Sequence, residues 1–189
     1  MVLMFLYILL FQNLVVGETI DCSDGSCFNS GNVTCTENGE TCQIQCFTNS
    51  SCANSILYCG ESTNCIIECS GDWSCWGASI HGNNSDTLTI ISYTNLALIW
   101  FGVFCPDSND NHNCQINCLN STNSCYNSWI YASQGLNDVK LLSNSSDTAI
   151  VFNQTRIFCG DGYSNMCIYD YRNNICANEL GSGDVCLQS

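Results

Sequence analysis

The stretch Cys42-Gln43-Ile44-Gln45-Cys46-Phe47-Thr48-Asn49-Ser50-Ser51-Cys52-Ala53-Asn54-Ser55 returns along the chain in altered spelling. It reads Cys65-Ile66-Ile67-Glu68-Cys69 and then Cys75, and later Cys114-Gln115-Ile116-Asn117-Cys118 and then Cys125. Side chains of a strand alternate between its faces, so the two cysteines and the isoleucine between them point one way and the intervening residues point the other.

From Cys42, Ile44 and Cys46 a step of 23 residues reaches Cys65, Ile67 and Cys69, and a second step of 23 reaches Leu88, Ile90 and Ser92. The pattern has continued without its cysteines. Longer steps give Cys114, Ile116, Cys118, then Val139, Leu141, Ser143, then Cys167, Tyr169, Tyr171, while Ile20 and Cys22 fill the same slots upstream. A second column of alternating residues follows each time: Val33 and Cys35, Leu57 and Cys59, Ile80 and Gly82, Val103 and Cys105, Ile130 and Ala132, Ile157 and Cys159. Between the columns recur Cys27-Phe28-Asn29, Cys52-Ala53-Asn54, Cys75-Trp76-Gly77, Cys125-Tyr126-Asn127 and Cys176-Ala177-Asn178. Asn and Gly tolerate positive φ, so their interchange marks a recurrent tight corner.

A repeat of this length, with short strands and Asn/Gly corners, buries its apolar face only by stacking on its neighbours. The expected fold is all-β: a single right-handed parallel β-helix, or solenoid, of about seven coils braced by disulfides. It would span residues 18–189. Residues Val2 to Val16 are apolar except Gln12 and Asn13, and Val15-Val16-Gly17 suits signal-peptidase cleavage, so residues 1–17 read as a signal peptide.

The chain carries three basic residues, Lys140, Arg156 and Arg172, against 17 acidic ones, for a net charge of -14. Phosphate binding needs Lys and Arg, which argues against nucleic acid as a partner, and an anionic membrane surface would repel the chain. The apolar run Thr87 to Phe104 contains several polar residues and no basic flank, and it matches Val139 to Phe158 slot for slot. It therefore reads as strands, leaving no stable membrane span after removal of the leader.

All 18 cysteines follow the leader. An even, dense set in that context indicates an oxidising compartment and a secreted, extracellular location, and without Cys-x-x-Cys spacing it does not indicate zinc. Cysteine slots fall vacant in correlated pairs: Gly82 with Leu88, Ala132 with Val139, Ser92 with Leu98, Ser143 with Ala149. Local bridges across corners account for this: Cys22–Cys27, Cys35–Cys42, Cys46–Cys52, Cys59–Cys65, Cys69–Cys75, Cys105–Cys114, Cys118–Cys125 and Cys159–Cys167. Cys176 and Cys186 then close the C-terminal end. Bridges between stacked coils are the alternative, since neighbouring strands lie within bridging range, but they leave the paired losses unexplained.

Six Asn-x-Ser/Thr sequons, at Asn32, Asn49, Asn83, Asn120, Asn144 and Asn153, suit an N-glycosylated protein, and none occupies an inward slot. Asp107, Asp110 and His112 crowd one corner, where a carboxylate with an imidazole suits acid–base work or cation binding, but a solvated, turn-forming Asp/Asn loop is the favoured reading. His81 falls outside the inward slots and reads as an exposed surface residue. The outward residues Gln45, Glu68, Ile91, Asn117, Leu142, Asp170 and Gln43, Ile66, Thr89, Gln115, Lys140, Ile168 carry no paired carboxylates on adjacent layers. Thr-x-Thr on successive layers is the signature of a lattice-binding face, and Thr87-Leu88-Thr89 does not recur in the matching slots of the neighbouring repeats. The outward residues Ile66, Ile91, Leu142 and Ile168 are apolar enough to form a stripe for a partner or for self-association.

The phrase Cys-x-Ile-x-Cys, a short gap, Cys-x-Asn-Ser, then Ile and Cys resembles the cysteine-rich parallel β-helix repeats of secreted or surface proteins of single-celled eukaryotes. The resemblance runs from Cys22 to about Cys176 and departs where Leu, Val, Ser and Ala replace cysteines and at Tyr171. It implies a pectin-lyase-like solenoid with surface or recognition roles, and it brings no catalytic residues with it. The expectation is a non-catalytic structural or adhesive glycoprotein that meets an extracellular protein or glycan, with no cofactor and no metal. The alternative is a β-helix enzyme acting on acidic polysaccharide.

Overall fold

The computed structural model describes residues 17–36, 40–94, 96–106, 113–119, 124–132, 139–143, 155–159, 165–170 and 175–178. The proposed leader therefore lies outside the described residues except for Gly17. In chain order the strands are β1 (Glu18–Asp21), β2 (Asn32–Thr34), β3 (Thr41–Cys46), β4 (Ile56–Tyr58), β5 (Asn64–Cys69), β6 (Ser79–His81) and β7 (Thr87–Ser92). They continue as β8 (Gly102–Phe104), β9 (Asn113–Cys118), β10 (Trp129–Tyr131), β11 (Val139–Ser143), β12 (Arg156–Cys159), β13 (Asn165–Asp170) and β14 (Ile175–Asn178).

Odd and even strands separate. The order β1-β3-β5-β7-β9-β11 makes one sheet, and β2-β4-β6-β8-β10-β12 run side by side in the second. These neighbours are parallel, so the chain winds through six layers, adding one strand to each sheet per turn. The run Thr87 to Phe104 contributes β7 and β8, and among the described residues no helix is long and apolar enough to cross a membrane.

Alternation decides which residues fill the core. In β3, β7 and β9 every second residue is buried, and Ile20, Ile44, Ile67, Ile90, Ile116 and Leu141 stand in register as one column. Four of them, Ile44, Ile67, Ile90 and Ile116, are wholly inaccessible, and each such burial contributes about 1.5–3 kcal/mol. Leu57, Ile80, Val103 and Ile130 face them from the second sheet.

Seven disulfides close the corners: Cys22–Cys27, Cys35–Cys42, Cys46–Cys52, Cys59–Cys65, Cys69–Cys75, Cys105–Cys114 and Cys118–Cys125. Each is local: Cys22–Cys27, Cys46–Cys52, Cys69–Cys75 and Cys118–Cys125 tie the end of a first-sheet strand to the connection that follows it, and the other three tie the end of a second-sheet strand to the next strand of the first sheet. Stacked layers are not bridged: Cys42 and Cys65 Sγ are 4.0 Å apart while each is bonded elsewhere. The side chains of Cys159, Cys167 and Cys176, and all of Cys186, lie outside the described residues, and with them the last two expected bridges.

The two described corners without a bridge are each filled by a small residue followed by a large one. A Cβ added to Gly82 would come within 2.8 Å of Leu88 Cδ2, so the leucine takes the space a disulfide would occupy. Ser92 and Leu98, both fully buried, repeat the arrangement one corner on. There Phe101 also turns inward, in a column whose neighbours Ala78 and Ser128 are small.

The seventh coil does not form. Instead of joining the first sheet, β13 returns antiparallel to β12, with Ile157 opposite Cys167, and β14 pairs antiparallel with β13. The inward slots of a seventh layer would hold Tyr169 and Tyr171 where earlier layers place Ile, Leu, Cys or Ser. Two phenols fit poorly in so narrow a core, and their hydroxyls would need partners there. The reversed strands cover the second sheet's otherwise open edge.

A Gly82→Cys, Leu88→Cys chain is expected to form an added local bridge, seen as loss of two hydrogens by mass spectrometry. It should unfold at higher temperature, with about 2 kcal/mol of added stability by the loop-entropy relation. Free thiols at both positions in the folded variant would refute the proposed corner geometry.

Candidate functional site

Three surfaces run along the rod, and each has its own chemistry. On the second sheet's outer face Tyr58, His81, Phe104, Tyr131 and Phe158 form a ladder of stacked rings, with centroids 4.7, 4.4, 4.6 and 4.9 Å apart. His81 is therefore not the exposed residue expected: it is half-buried between two rings, and its Nε2 lies 3.0 Å from Ser79 Oγ. That burial holds the imidazole's pKa below its ordinary value, favouring the neutral ring. Because the rings cover one another's faces, the ladder presents mainly edges and braces the sheet.

The first sheet's outer face is polar and tied together around Glu68. Its carboxylate accepts from Gln43 Nε2 at 2.6 Å, Gln45 Nε2 at 3.5 Å and Tyr93 Oη at 3.0 Å. The four apolar residues expected to make a stripe are not brought together. Ile66 lies in the row of Gln43 and Thr89, Ile91 lies in the row of Glu68 and Asn117, and Asn117 separates Ile91 from Leu142. Ile168 belongs to β13, in the other sheet. Row parity explains the outcome: Ile66 and Ile91 are 25 residues apart, two more than the repeat, so they fall in different rows.

The third surface is formed by the connections that lead from the first sheet to the second. Backbone hydrogen bonds hold them in register across layers, including Ser50 N to Asp72 O at 3.0 Å, Asn54 N to Trp76 O at 2.8 Å, Gly77 N to Ile99 O at 3.0 Å and Trp100 N to Tyr126 O at 3.2 Å. Two columns in these connections have left-handed backbone. One contains Gly25, Ser50, Trp73 and Leu96, and the other, four residues on, contains Asn29, Asn54, Gly77, Trp100 and Asn127.

The second column is the Asn/Gly corner expected from sequence, except at Trp100, whose φ is 56°. Gly77 suits both its φ of 66° and its close contact with Asn54 Oδ1, which a Cβ would meet at 2.6 Å. A tryptophan has no such fit, since left-handed backbone costs an L-residue with a bulky side chain roughly 1–2 kcal/mol. Trp100 is 53 % exposed, so packing does little to offset that cost. Trp73, 41 % exposed with φ of 59°, is a second exposed tryptophan on left-handed backbone, in the column that also holds Gly25, Ser50 and Leu96.

All the exposed large apolar side chains among the described residues, Phe28, Phe47, Trp73, Tyr93 and Trp100, lie on this side. Trp76 joins them, with its ring centroid 6.3 Å from that of Trp73 in edge-to-face contact. Exposed carboxylates stand among the rings at Asp21, Asp24 and Asp72. Hydrogen bonds from Ser23 and Ser26 hold Asp21 and Asp24, respectively, below the ordinary carboxylate pKa, so both stay charged into acid. The connections of this side contain no Lys, Arg or His. A sequence signal for the site existed: Trp100 stands two places after Leu98, where Asn29, Asn54, Gly77 and Asn127 stand in four other layers.

On the opposite corner an open hollow of about 480 Å³ is lined by Glu61, Ser62, Thr63, Asn84 and Asp86. Asp107, Asp110 and His112 lie outside the described residues, as do the sequons at Asn120, Asn144 and Asn153. Asn32 and Asn49 are exposed and Asn83 is partly so, and Asn49 Oδ1 accepts from Asp72 N at 3.1 Å. The sulfurs of Cys22, Cys27 and Cys52, and of Cys46, Cys69 and Cys75, crowd together as a metal's ligands would. All six are in disulfides and offer no thiolate.

No protein-family model matches the chain, and no match is found among curated proteins or solved structures.

Trp100→Asn is expected to raise folding stability by about 1 kcal/mol in thermal or denaturant unfolding, since asparagine occupies this column in three other layers. A loss of stability would show that the indole is a structural element, not an exposed feature maintained at a cost.

Proposed function

We propose that this chain is a secreted or cell-surface, N-glycosylated recognition protein, in which a disulfide-braced solenoid holds a rigid aromatic surface towards an extracellular partner. The observation that carries this reading is the gathering of every exposed large apolar side chain of the described residues on one side of the rod, with two tryptophans on left-handed backbone. Contiguous exposed apolar surface is characteristic of interaction sites, and strained backbone that local packing does not repay concentrates where function maintains it. The seven disulfides indicate an oxidising environment, and the leader-like N-terminus and the exposed sequons at Asn32 and Asn49 accord with export. A pectin-lyase-like origin is supported only by the repeat motif. The role is adhesive or structural, and no catalytic group enters it.

The glycosylated protein, applied to arrays of extracellular proteins and glycans, is expected to bind a defined subset of spots, and a Trp73→Asn, Trp100→Asn variant with unchanged circular dichroism should lose them. Depolymerisation of an acidic polysaccharide, abolished by Asp107→Asn or Asp110→Asn and untouched by the tryptophan changes, would replace this reading with the enzymatic one.

A further inference from the structure

The aromatic side has a charge pattern as well as an apolar one, and together they constrain what it can receive. Asp24 and Asp72 occupy the same place in layers one and three of this side, each immediately before a left-handed residue, Gly25 or Trp73. Asp21 is exposed and Glu68 half-buried, both in the outward row of the first sheet that borders these connections. Lys140 and Arg156 belong to β11 and β12, and the connections from the first sheet to the second contain no Lys, Arg or His, so among the described residues no cation of this side neutralises the carboxylates.

Indole faces attract cations, guanidinium most often among protein groups, and a carboxylate beside the ring accepts charge-assisted hydrogen bonds that a guanidinium donates in its plane. The same surface repels phosphate, sulfate and uronate polymers. With a net charge of -14, the whole chain also steers cations towards it. Resting on the recognition role proposed above, we propose that the surface formed by Trp73, Trp76 and Trp100 with Asp72 binds a basic polypeptide segment, with an arginine seated against the indoles and paired to the aspartate. Trp73 and Trp76 come from layer three and Trp100 from layer four, so the segment crosses the layers along the rod. Trp73 and Trp100 stand exposed on left-handed backbone, and use of the indoles by a ligand accounts for tryptophan at position 100, where asparagine or glycine serves in four other layers.

The full glycosylated chain is titrated with an octapeptide of alternating glycine and arginine, and with the same peptide carrying neutral citrulline for arginine, following tryptophan fluorescence and calorimetric heat. The arginine peptide is expected to bind at least about tenfold more tightly than the citrulline one. Trp73→Asn with Trp100→Asn, and separately Asp72→Asn, should weaken it by about tenfold and by a severalfold factor, respectively. Glu61→Gln with Asp86→Asn removes more charge from the opposite corner and should change binding less than about twofold. Equal binding by the tryptophan variant, or equal weakening by the opposite-corner variant, would show attraction by bulk charge alone and overturn the proposal. Loss of a neutral glycan ligand in the tryptophan variant, with no arginine-peptide binding by the parent chain, would leave the recognition role standing and overturn this choice of partner.

Discussion

Parallel strands stacked in register place like beside like, and everything else in this protein depends on that constraint. Ile44, Ile67, Ile90 and Ile116 touch because each residue of one layer has its hydrogen-bonded counterpart in the next. A slot that accepts isoleucine in one layer must accept something of similar width in all of them. The core is only two short strands across, six residues facing three, so it has little capacity to absorb an oversized side chain. The antiparallel turn of β13, where two tyrosines would have entered the slots, follows from the same rule.

The corners are where layers are free to differ. A narrow core leaves part of the chain's ordering entropy to be offset by local bridges, and the seven disulfides do this across loops of 5 to 9 residues. Where bridges are missing, Gly82 with Leu88 and Ser92 with Leu98 conserve volume by pairing a small residue with a large one. Left-handed positions also vary, with Asn or Gly at most of them and Ser50 or Leu96 at others. Trp73 and Trp100 are the large left-handed residues that stay exposed, which separates them from the residues that build the rod.

Much of the fold was legible in the sequence because its two strongest signals are periodic. Two-residue alternation assigned the faces of β3, β5, β7 and β9, and the repeat of about 23 residues put Ile67 beside Ile44 and Ile90 beside Ile67. The cysteines were informative through their correlated absences, since a disulfide needs both partners. The aromatic ladder was present at the same spacing, in Tyr58, His81 and Phe104, but outward positions read as solvent-facing until stacking across layers is seen. Less of the candidate site could be read. Backbone handedness at Trp73 and Trp100 has no signature in residue type, because the residues that announce it, Asn and Gly, are the ones replaced there. The Ile66 and Ile91 stripe failed for a simpler reason, the row parity that places them on different lines of one face.

The rod therefore combines a repeated interior with one side that departs from the repeat, and the recognition reading concerns that side. It depends in turn on how the corners are closed, because a local bridge, Cys69–Cys75, ties the connection that bears Trp73 and Trp76 to its own strand. Peptide mapping of the non-reduced protein tests that closure most directly. Cys35 linked to Cys42 and Cys59 linked to Cys65 is the result this account predicts, and a Cys42 to Cys65 linkage would contradict it.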